Sequence, residues 1–135
     1  MKKFLKIFFV TALLSLSCTF NIQSQHRVRA TKYYAGHNCG HITADGSRIN
    51  NNKVNSGEHR WVALSRDMFR KGYKMGDVIY VDSDNVSLKG YWVVKDKMGA
   101  RHSNCIDFLM TRANSRGFTN PCHVTITKTN KKGTH

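Results

Sequence analysis

The chain lacks a long hydrophobic run. Its most apolar segment, residues 7–16, is only ten residues long and is interrupted by two hydroxyl residues. A helix of that length rises about 15 Å, half of a bilayer's hydrocarbon core, which argues against a permanent membrane span. Three lysines precede the run, and small polar residues follow it. This order predicts an export signal over residues 1–24, so we expect the protein in the periplasm, in the cell envelope or secreted.

The end of this signal has two interpretations. Ser24, followed by Gln25, fits cleavage by signal peptidase. Cys18 fits a lipoprotein cysteine, which would be acylated after cleavage and would tether the protein to a membrane, such as the outer membrane. We expect membrane contact only in the second case.

Acidic residues are also scarce. The chain has eight Asp and Glu against 22 Lys and Arg, a net charge of +14. The predicted signal carries three of the lysines and none of the acids, so its removal leaves +11. Such a surplus favours an anionic partner, which could be wall polymer, acidic lipid or nucleic acid. Because export separates the protein from most nucleic acid, we expect no nucleic-acid partner.

Internal repeats and linkers are absent from the sequence. The 111 residues after the predicted signal suffice for one domain with one modest core. We place this domain at residues 27–129, followed by a basic tail at residues 130–135, and expect a monomer.

Cysteine is infrequent, and its count is odd once Cys18 is set aside. Cys39, Cys105 and Cys122 remain, which predicts one disulfide of unknown pairing plus a free thiol. His37, Cys39 and His41 alternate as metal ligands in an extended segment would. Because a fourth ligand is missing, a loop anchored by a disulfide is favoured, and we predict no metal site.

Short strand-like segments separated by Gly and Asn turns dominate the domain. These segments predict six strands, over residues 27–34, 61–64, 77–82, 88–95, 106–110 and 123–129. Ser65 is expected to begin a helical turn that Gly72 ends, and residues 111–117 are expected to form another. The pattern predicts an all-β fold, either a small six-stranded barrel with one or two short helical turns or a two-sheet sandwich. Trp92 is expected in the core and Tyr34 at the surface.

Two aspartates at strand ends have different surroundings. Asp96 lies between Lys95 and Lys97, whose positive charge favours its ionised form. Asp107 lies between Ile106 and Phe108, and burial there would raise its pKa. Since a general acid must hold its proton near neutral pH, Asp107 is the better acid and Asp96 the better charge stabiliser.

An ordered set of motifs carries a family resemblance. The set comprises residues 30–33, Thr43-Ala44-Asp45-Gly46, residues 62–65, residues 73–76, Asp96-Lys97-Met98-Gly99 and Asn104-Cys105-Ile106-Asp107. In this order and spacing, residues 30–128 resemble the 3D (three-aspartate) domain. That domain is a double-psi β-barrel related to rare lipoprotein A, to the catalytic domain of lytic transglycosylase A and to expansins. The resemblance implies a six-stranded double-psi barrel that acts on peptidoglycan glycan strands without a cofactor.

The resemblance also implies a mechanism. Asp107 falls on the catalytic acid of the transglycosylase relatives. It would protonate the glycosidic oxygen, and its carboxylate would then help the muramyl 6-hydroxyl attack the anomeric carbon and form a 1,6-anhydro end. Asp96 would shape the site and stabilise the cationic transition state. Ordinary glycosidases use a pair of carboxylates instead.

The groove is expected to contact its glycan through six further residues, which are Tyr33, Thr43, Asp45, Ser65, Lys97 and Arg101. Ser65 stands where the first of the family's three aspartates is expected. Two functions therefore stay open at this point. One is cleavage by a lytic transglycosylase-type enzyme, and the other is a non-catalytic, expansin-like barrel that binds or loosens the wall.

Overall fold

The computed structural model describes residues 23–36, 40–119 and 122–133. Most of the predicted export signal, including Cys18, lies outside the described residues, as do His37 and Cys39. Within the described ranges, no helix is both long and apolar enough to cross a membrane.

Six strands and two short helices make up the described chain. In chain order they are β1 Gln25–Tyr33, α1 Asn51–Ser56, β2 Trp61–Leu64, α2 Arg66–Arg70, β3 Asp77–Asp82, β4 Gly90–Lys97, β5 Cys105–Leu109 and β6 Cys122–Lys132. The strands close into a barrel in the order β1-β5-β2-β4-β3-β6. The closed barrel confirms the predicted all-β fold and rules out the sandwich.

Two strand pairs in the barrel are parallel, β1 with β5 and β2 with β4. The other four pairs, including β2 with β5, are antiparallel. Parallel neighbours require crossover connections, and this mixed order agrees with the predicted double-psi barrel. It also makes β2 the shared neighbour of β4 and β5, the strands that carry Asp96 and Asp107.

The core fills the barrel interior with one pair of apolar side chains from each strand, spaced two residues apart as the pleat requires. These pairs are Val28 and Ala30, Val62 and Leu64, Ile79 and Val81, Trp92 and Val94, Ile106 and Phe108, and Val124 and Ile126. Trp92 is 4% exposed and its ring meets that of Phe108 edge to face at 4.8 Å, which confirms its predicted place in the core. The intervening residues of β2 and β5 therefore point outward.

Strand β4 begins two residues later than predicted. Asn85 forms a turn by accepting hydrogen bonds from the amide and hydroxyl of Ser87, and Leu88 still belongs to this turn. The Leu88 carbonyl accepts the indole N–H of Trp92 at 2.7 Å. The strand also ends two residues later than predicted, at Lys97, so Asp96 lies inside it rather than at its end.

Local capping explains the first of the two helices and not the second. The sequence patterns did not predict α1, although Asn50 caps it by accepting from two backbone amides and Gly57 ends it in the left-handed conformation at φ 83°. Helix α2 follows Ser65 as predicted, but the Ser65 side chain does not cap it. Residues 111–117 form a turn rather than a regular helix, and the Ser115 amide donates to the Thr111 carbonyl, the i to i+4 bond of the single helical turn predicted there.

Candidate functional site

A groove of about 560 Å³ lies on the outer face of the barrel, where β1, β5, β2 and β4 run side by side. At its floor, Ala63 of β2 is the register partner of both Asp107 of β5 and Asp96 of β4. The small Ala63 side chain separates the two carboxylates and leaves the space between them open. The walls are formed by Lys32, Tyr33, Tyr34, Lys97, Met98, Gly99, His102 and Arg112. The two predicted catalytic aspartates therefore share one cavity.

Asp107 is partly buried in the groove. The Thr31 hydroxyl, from the neighbouring strand β1, donates to Asp107 Oδ1 at 2.8 Å. Burial raises the pKa of Asp107, while the Thr31 hydrogen bond and the charge of His102 oppose that rise. The nearby charge of Asp96 adds to it. The direction agrees with the predicted protonated acid.

Asp96 is held by backbone amides. Both Ala44 N, at 3.0 Å, and Lys97 N, at 2.8 Å, donate to Asp96 Oδ1. The Ala44 amide comes from the segment before α1, 52 positions away in the chain. The orientation of Asp96 thus depends on how the loop at residues 43–47 docks against β4.

A buried ion pair docks this loop. The Lys95 ammonium lies 3.3 Å from Asp45 Oδ2, and the two side chains are 4% and 13% exposed. Lys95 also donates to the Ser47 hydroxyl at 3.3 Å, and its carbonyl accepts the Asp45 amide. The ammonium lies 5.4 Å from the centre of the Trp61 ring. Lys95 therefore fixes the loop that presents the Ala44 amide to Asp96.

Asp45 is the acidic partner in this pair and is ionised in the fold. Burial disfavours its charge, but hydrogen bonds from Thr43, at 2.6 Å, and Ser47, at 3.0 Å, together with Lys95, lower its pKa to about 2. Neither Thr43 nor Asp45 lines the groove. Both were predicted to bind substrate, and the structure places them behind Asp96 as parts of its support.

Ser65 is fully buried and lies outside the groove. Its hydroxyl accepts the Cys105 amide at 3.0 Å, and the nearby Asp67 carboxylate accepts the Asn104 amide with both oxygens. Asn104 adopts the left-handed conformation at φ 51°, and its side chain donates to the Arg27 carbonyl. Ser65 and Asp67 therefore fix the turn that leads into the Asp107 strand.

The remaining predicted contacts divide between the groove and the open surface. Tyr33 and Lys97 line the groove, whereas Arg101 is exposed on the following turn and does not. Tyr34 lines it too, and its hydroxyl shares a hydrogen bond of 2.8 Å with the Ser115 hydroxyl.

Sequence reasoning missed Lys32, His102 and Arg112 as wall residues of the groove. Lys32 lies on β1 beside Tyr33, and Arg112 follows the end of β5, the strand that carries Asp107. Their positions near the ends of these strands were the only feature of the sequence that could have indicated a place in the groove wall. His102 lies in the β4–β5 loop, and its approach to Asp107 depends on how that loop folds back over the barrel.

Cys105 and Cys122 are free thiols in the structure. They pair with adjacent residues of β1 from opposite sides, Cys105 with Arg29 and Cys122 with Ala30. Their Cα atoms are therefore two strand spacings apart, about 10 Å. This exceeds the roughly 7 Å between Cα atoms that a disulfide can bridge. The remaining pairings involve Cys39, which lies outside the described residues.

Metal coordination finds no support among residues 23–36, 40–119 and 122–133. Within these ranges, no group of three or more His, Cys, Asp or Glu side chains is arranged to hold a metal ion. His41 is exposed, and its two predicted co-ligands, His37 and Cys39, are not described.

Comparison with solved structures supports the fold. Two structures of a bacterial expansin are among those that have a similar fold. The apo expansin of Clavibacter michiganensis matches with a TM-score of 0.57 and 13% identity, over 82% of this chain and 53% of the expansin. A point mutant of that expansin in complex with cellohexaose matches with a TM-score of 0.54 and 12% identity, over 83% of this chain and 54% of the mutant. The chain thus spans about half the length of these expansins.

Sequence comparison adds no relative. No protein-family model matches the chain, and no curated protein does. At 12–13% identity, the likeness to the expansins establishes the shared barrel and leaves the 3D-domain resemblance as a prediction.

The first prediction concerns the buried ion pair. Replacing Lys95 by Met preserves most of its volume but leaves the partly buried Asp45 carboxylate without its cation. We expect the free energy of unfolding at neutral pH to fall by about 2 kcal/mol, between the losses for exposed and for fully buried pairs. Urea denaturation checks this, with Lys53→Met as the control, because Lys53 pairs with Glu58 at the surface and its loss should cost less than about 0.5 kcal/mol. Equal losses in both variants would contradict a special role for Lys95.

A second prediction concerns acid unfolding. Because the pKa of Asp45 falls from 3.8 to about 2 on folding, its contribution to stability is present above pH 3.8 and is lost as the pH falls through 2. In Asp45→Asn this part of the acid dependence should disappear. Urea denaturation of both proteins at a series of pH values measures it. Identical pH profiles for the two proteins would refute the assignment.

Proposed function

We propose that this protein is a glycan-binding barrel of the bacterial cell wall, which holds a polysaccharide strand in the groove above Ala63. The observation that carries the proposal is the groove itself. It is an open cavity on the barrel wall, with two carboxylates at the floor, tyrosines on one side and cations around the rim. The predicted export signal would deliver such a protein to the wall.

The chemistry of the groove suits a sugar chain. Carboxylates such as Asp96 and Asp107 accept hydrogen bonds from sugar hydroxyls, and rings such as those of Tyr33 and Tyr34 offer apolar faces for stacking. The complex of an expansin mutant with cellohexaose supports the proposal, since that protein has the same barrel and was crystallised with a glycan.

The rim favours an anionic glycan, and peptidoglycan is the wall polymer that we propose. Lys32, Lys97 and Arg112 surround the groove. Lys32 and Lys97 also lie over aromatic rings, Lys32 at 5.3 Å from the Phe118 centroid and Lys97 at 5.0 Å from that of Phe69. Peptidoglycan strands carry carboxylates on the peptide stems of their muramyl units, which these cations would attract.

Cleavage of the bound strand is a second candidate function, and one observation favours it. Burial raises the pKa of Asp107, so this carboxyl group is better able than an exposed aspartate to deliver a proton to a glycosidic oxygen. Thr31 would orient it, and Asp96, across Ala63, would stabilise positive charge on the sugar. The reaction would be of lytic transglycosylase type, in which the muramyl 6-hydroxyl replaces water as the nucleophile.

Binding is tested with purified sacculi. The double variant Lys97→Met/Arg112→Met should lose about tenfold or more in affinity, because hydrogen bonds to charged groups contribute ~1.5 kcal/mol or more. The control Lys53→Met/Lys89→Met removes the same charge from outside the groove. Co-sedimentation at several salt concentrations gives the affinities. If the control weakens binding as much as the groove variant, net charge rather than the groove holds the glycan.

Cleavage is tested on the same sacculi by mass spectrometry of released fragments. Wild-type protein should release fragments with 1,6-anhydro-muramyl ends, and Asp107→Asn should abolish them while retaining binding. Asp82→Asn serves as the control, since Asp82 is exposed on β3 away from the groove. Should the wild-type protein bind sacculi without releasing fragments, the cleavage candidate is discarded and the binding function stands.

A further inference from the structure

A second cavity of about 420 Å³ lies where the start of β1 meets the end of β6 and the turn after α2. It shares no lining residue with the groove. Its walls are Gln23, Ser24, His26, Lys71, Gly72, Tyr73, Lys128 and Asn130. Apart from Tyr73, every side chain in this lining is polar or absent, which is unlike an apolar ligand pocket.

Positive charge dominates this cavity. Lys71 and Lys128 line it, and no carboxylate does. Asp77 lies beside the cavity, where its Oδ2 is 3.2 Å from the Lys128 ammonium and also accepts the Lys74 amide at 2.8 Å. Lys128 also donates to the Gly72 carbonyl at 2.9 Å. Lys71 lies exposed at the cavity edge, and its charge also acts on the carboxylate of Asp67, which is not part of the lining.

A buried tyrosine orients the histidine of the cavity. Tyr73 is 3% exposed, and its hydroxyl lies 2.8 Å from His26 Nδ1. Burial, assisted by the charge of Asp77, raises the pKa of Tyr73 to about 12, so the hydroxyl keeps its proton. We assign this hydroxyl as the donor to Nδ1, which places the proton of a neutral imidazole on Nε2. The His26 ring then presents an N–H group to a ligand.

Donors converge on the cavity from three elements of the fold. Lys71 supplies an ammonium and His26 supplies Nε2–H. Asn130 supplies its side-chain amide, whose Oδ1 accepts from Gln23 at 3.3 Å in the unprocessed chain. Processing after Ser24 would remove Gln23 and Ser24 from the lining and would leave Lys71, His26 and Asn130, whose amide then has no Gln23 partner and can present its NH2 group to a ligand.

We propose that this cavity binds the phosphate group of an anionic ester. A tetrahedral phosphate presents oxygens in several directions and can meet donors on three sides, and lysine commonly binds phosphate as a point charge. Two sources offer this chemistry at a cell envelope, the headgroup of an anionic phospholipid and a glycerol phosphate unit of a wall polymer. The site is separate from the glycan groove, and the proposal holds whether or not the groove binds peptidoglycan.

Titration with glycerol phosphate, followed by NMR at constant pH and ionic strength, tests the proposal. We expect saturable shifts of the His26 ring protons and of the Gly72 and Tyr73 amides. Lys71→Met should weaken the apparent affinity about tenfold or more, because it removes a charged donor. Lys89→Met, an exposed lysine outside the cavity, should leave the affinity unchanged.

Three outcomes would overturn the proposal. They are the absence of saturable shifts, equal weakening in Lys71→Met and Lys89→Met, and acetate binding as tightly as glycerol phosphate. Co-sedimentation with vesicles of phosphatidylglycerol, compared with phosphatidylcholine alone, then distinguishes the sources. Retention that depends on Lys71 assigns a lipid headgroup, whereas binding of soluble glycerol phosphate without retention assigns a wall polymer.

Discussion

The buried ion pair between Lys95 and Asp45 is the interaction on which the candidate site depends. Removing two charges from water is costly, and their attraction repays this only when hydrogen bonds satisfy the remaining donors and acceptors. Here Ser47 and Thr43 supply those bonds. The pair holds the loop at residues 43–47 against β4. The residues next to the pair are positioned as a result, because the Ala44 amide donates to Asp96. A structural charge pair thus sets the position of one carboxylate of the candidate site.

The barrel topology positions Asp107, as the ion pair positions Asp96. Because β2 lies between β4 and β5, the register of Ala63 with both neighbours brings together two aspartates that are eleven positions apart in the sequence. A larger residue in place of Ala63 would fill the space between them. The loop that joins β4 to β5 folds back over the site and contributes His102 to its wall.

Local signals predicted the strands well and the site less completely. Short apolar runs between polar residues predicted β2 and β3 at their observed bounds, because such runs are typical of strands in contact on both faces. The helix at residues 51–56 was missed because three consecutive asparagines resemble a loop, although Asn50 and Gly57 are its cap residues. Asp96, Asp107, Tyr33 and Lys97 were predicted and share the groove. The support roles of Thr43, Asp45 and Ser65 arise from contacts across the barrel, which local patterns do not contain.

Because acidic residues are scarce in this chain, two of them in one groove are informative. Six of the eight acids contact cations or backbone amides: Asp45, Glu58, Asp67, Asp77, Asp82 and Asp96. Asp84 lines a polar recess with Arg27 and His123. Asp96 shares one cavity with the last acid, Asp107, and its charge adds to the rise in the pKa of Asp107. On a surface with so large an excess of cations, two neighbouring carboxylates add nothing to the attraction of an anion. The glycan-binding function that we propose accounts for their place at the floor of a basic groove, since there they would accept hydrogen bonds from sugar hydroxyls.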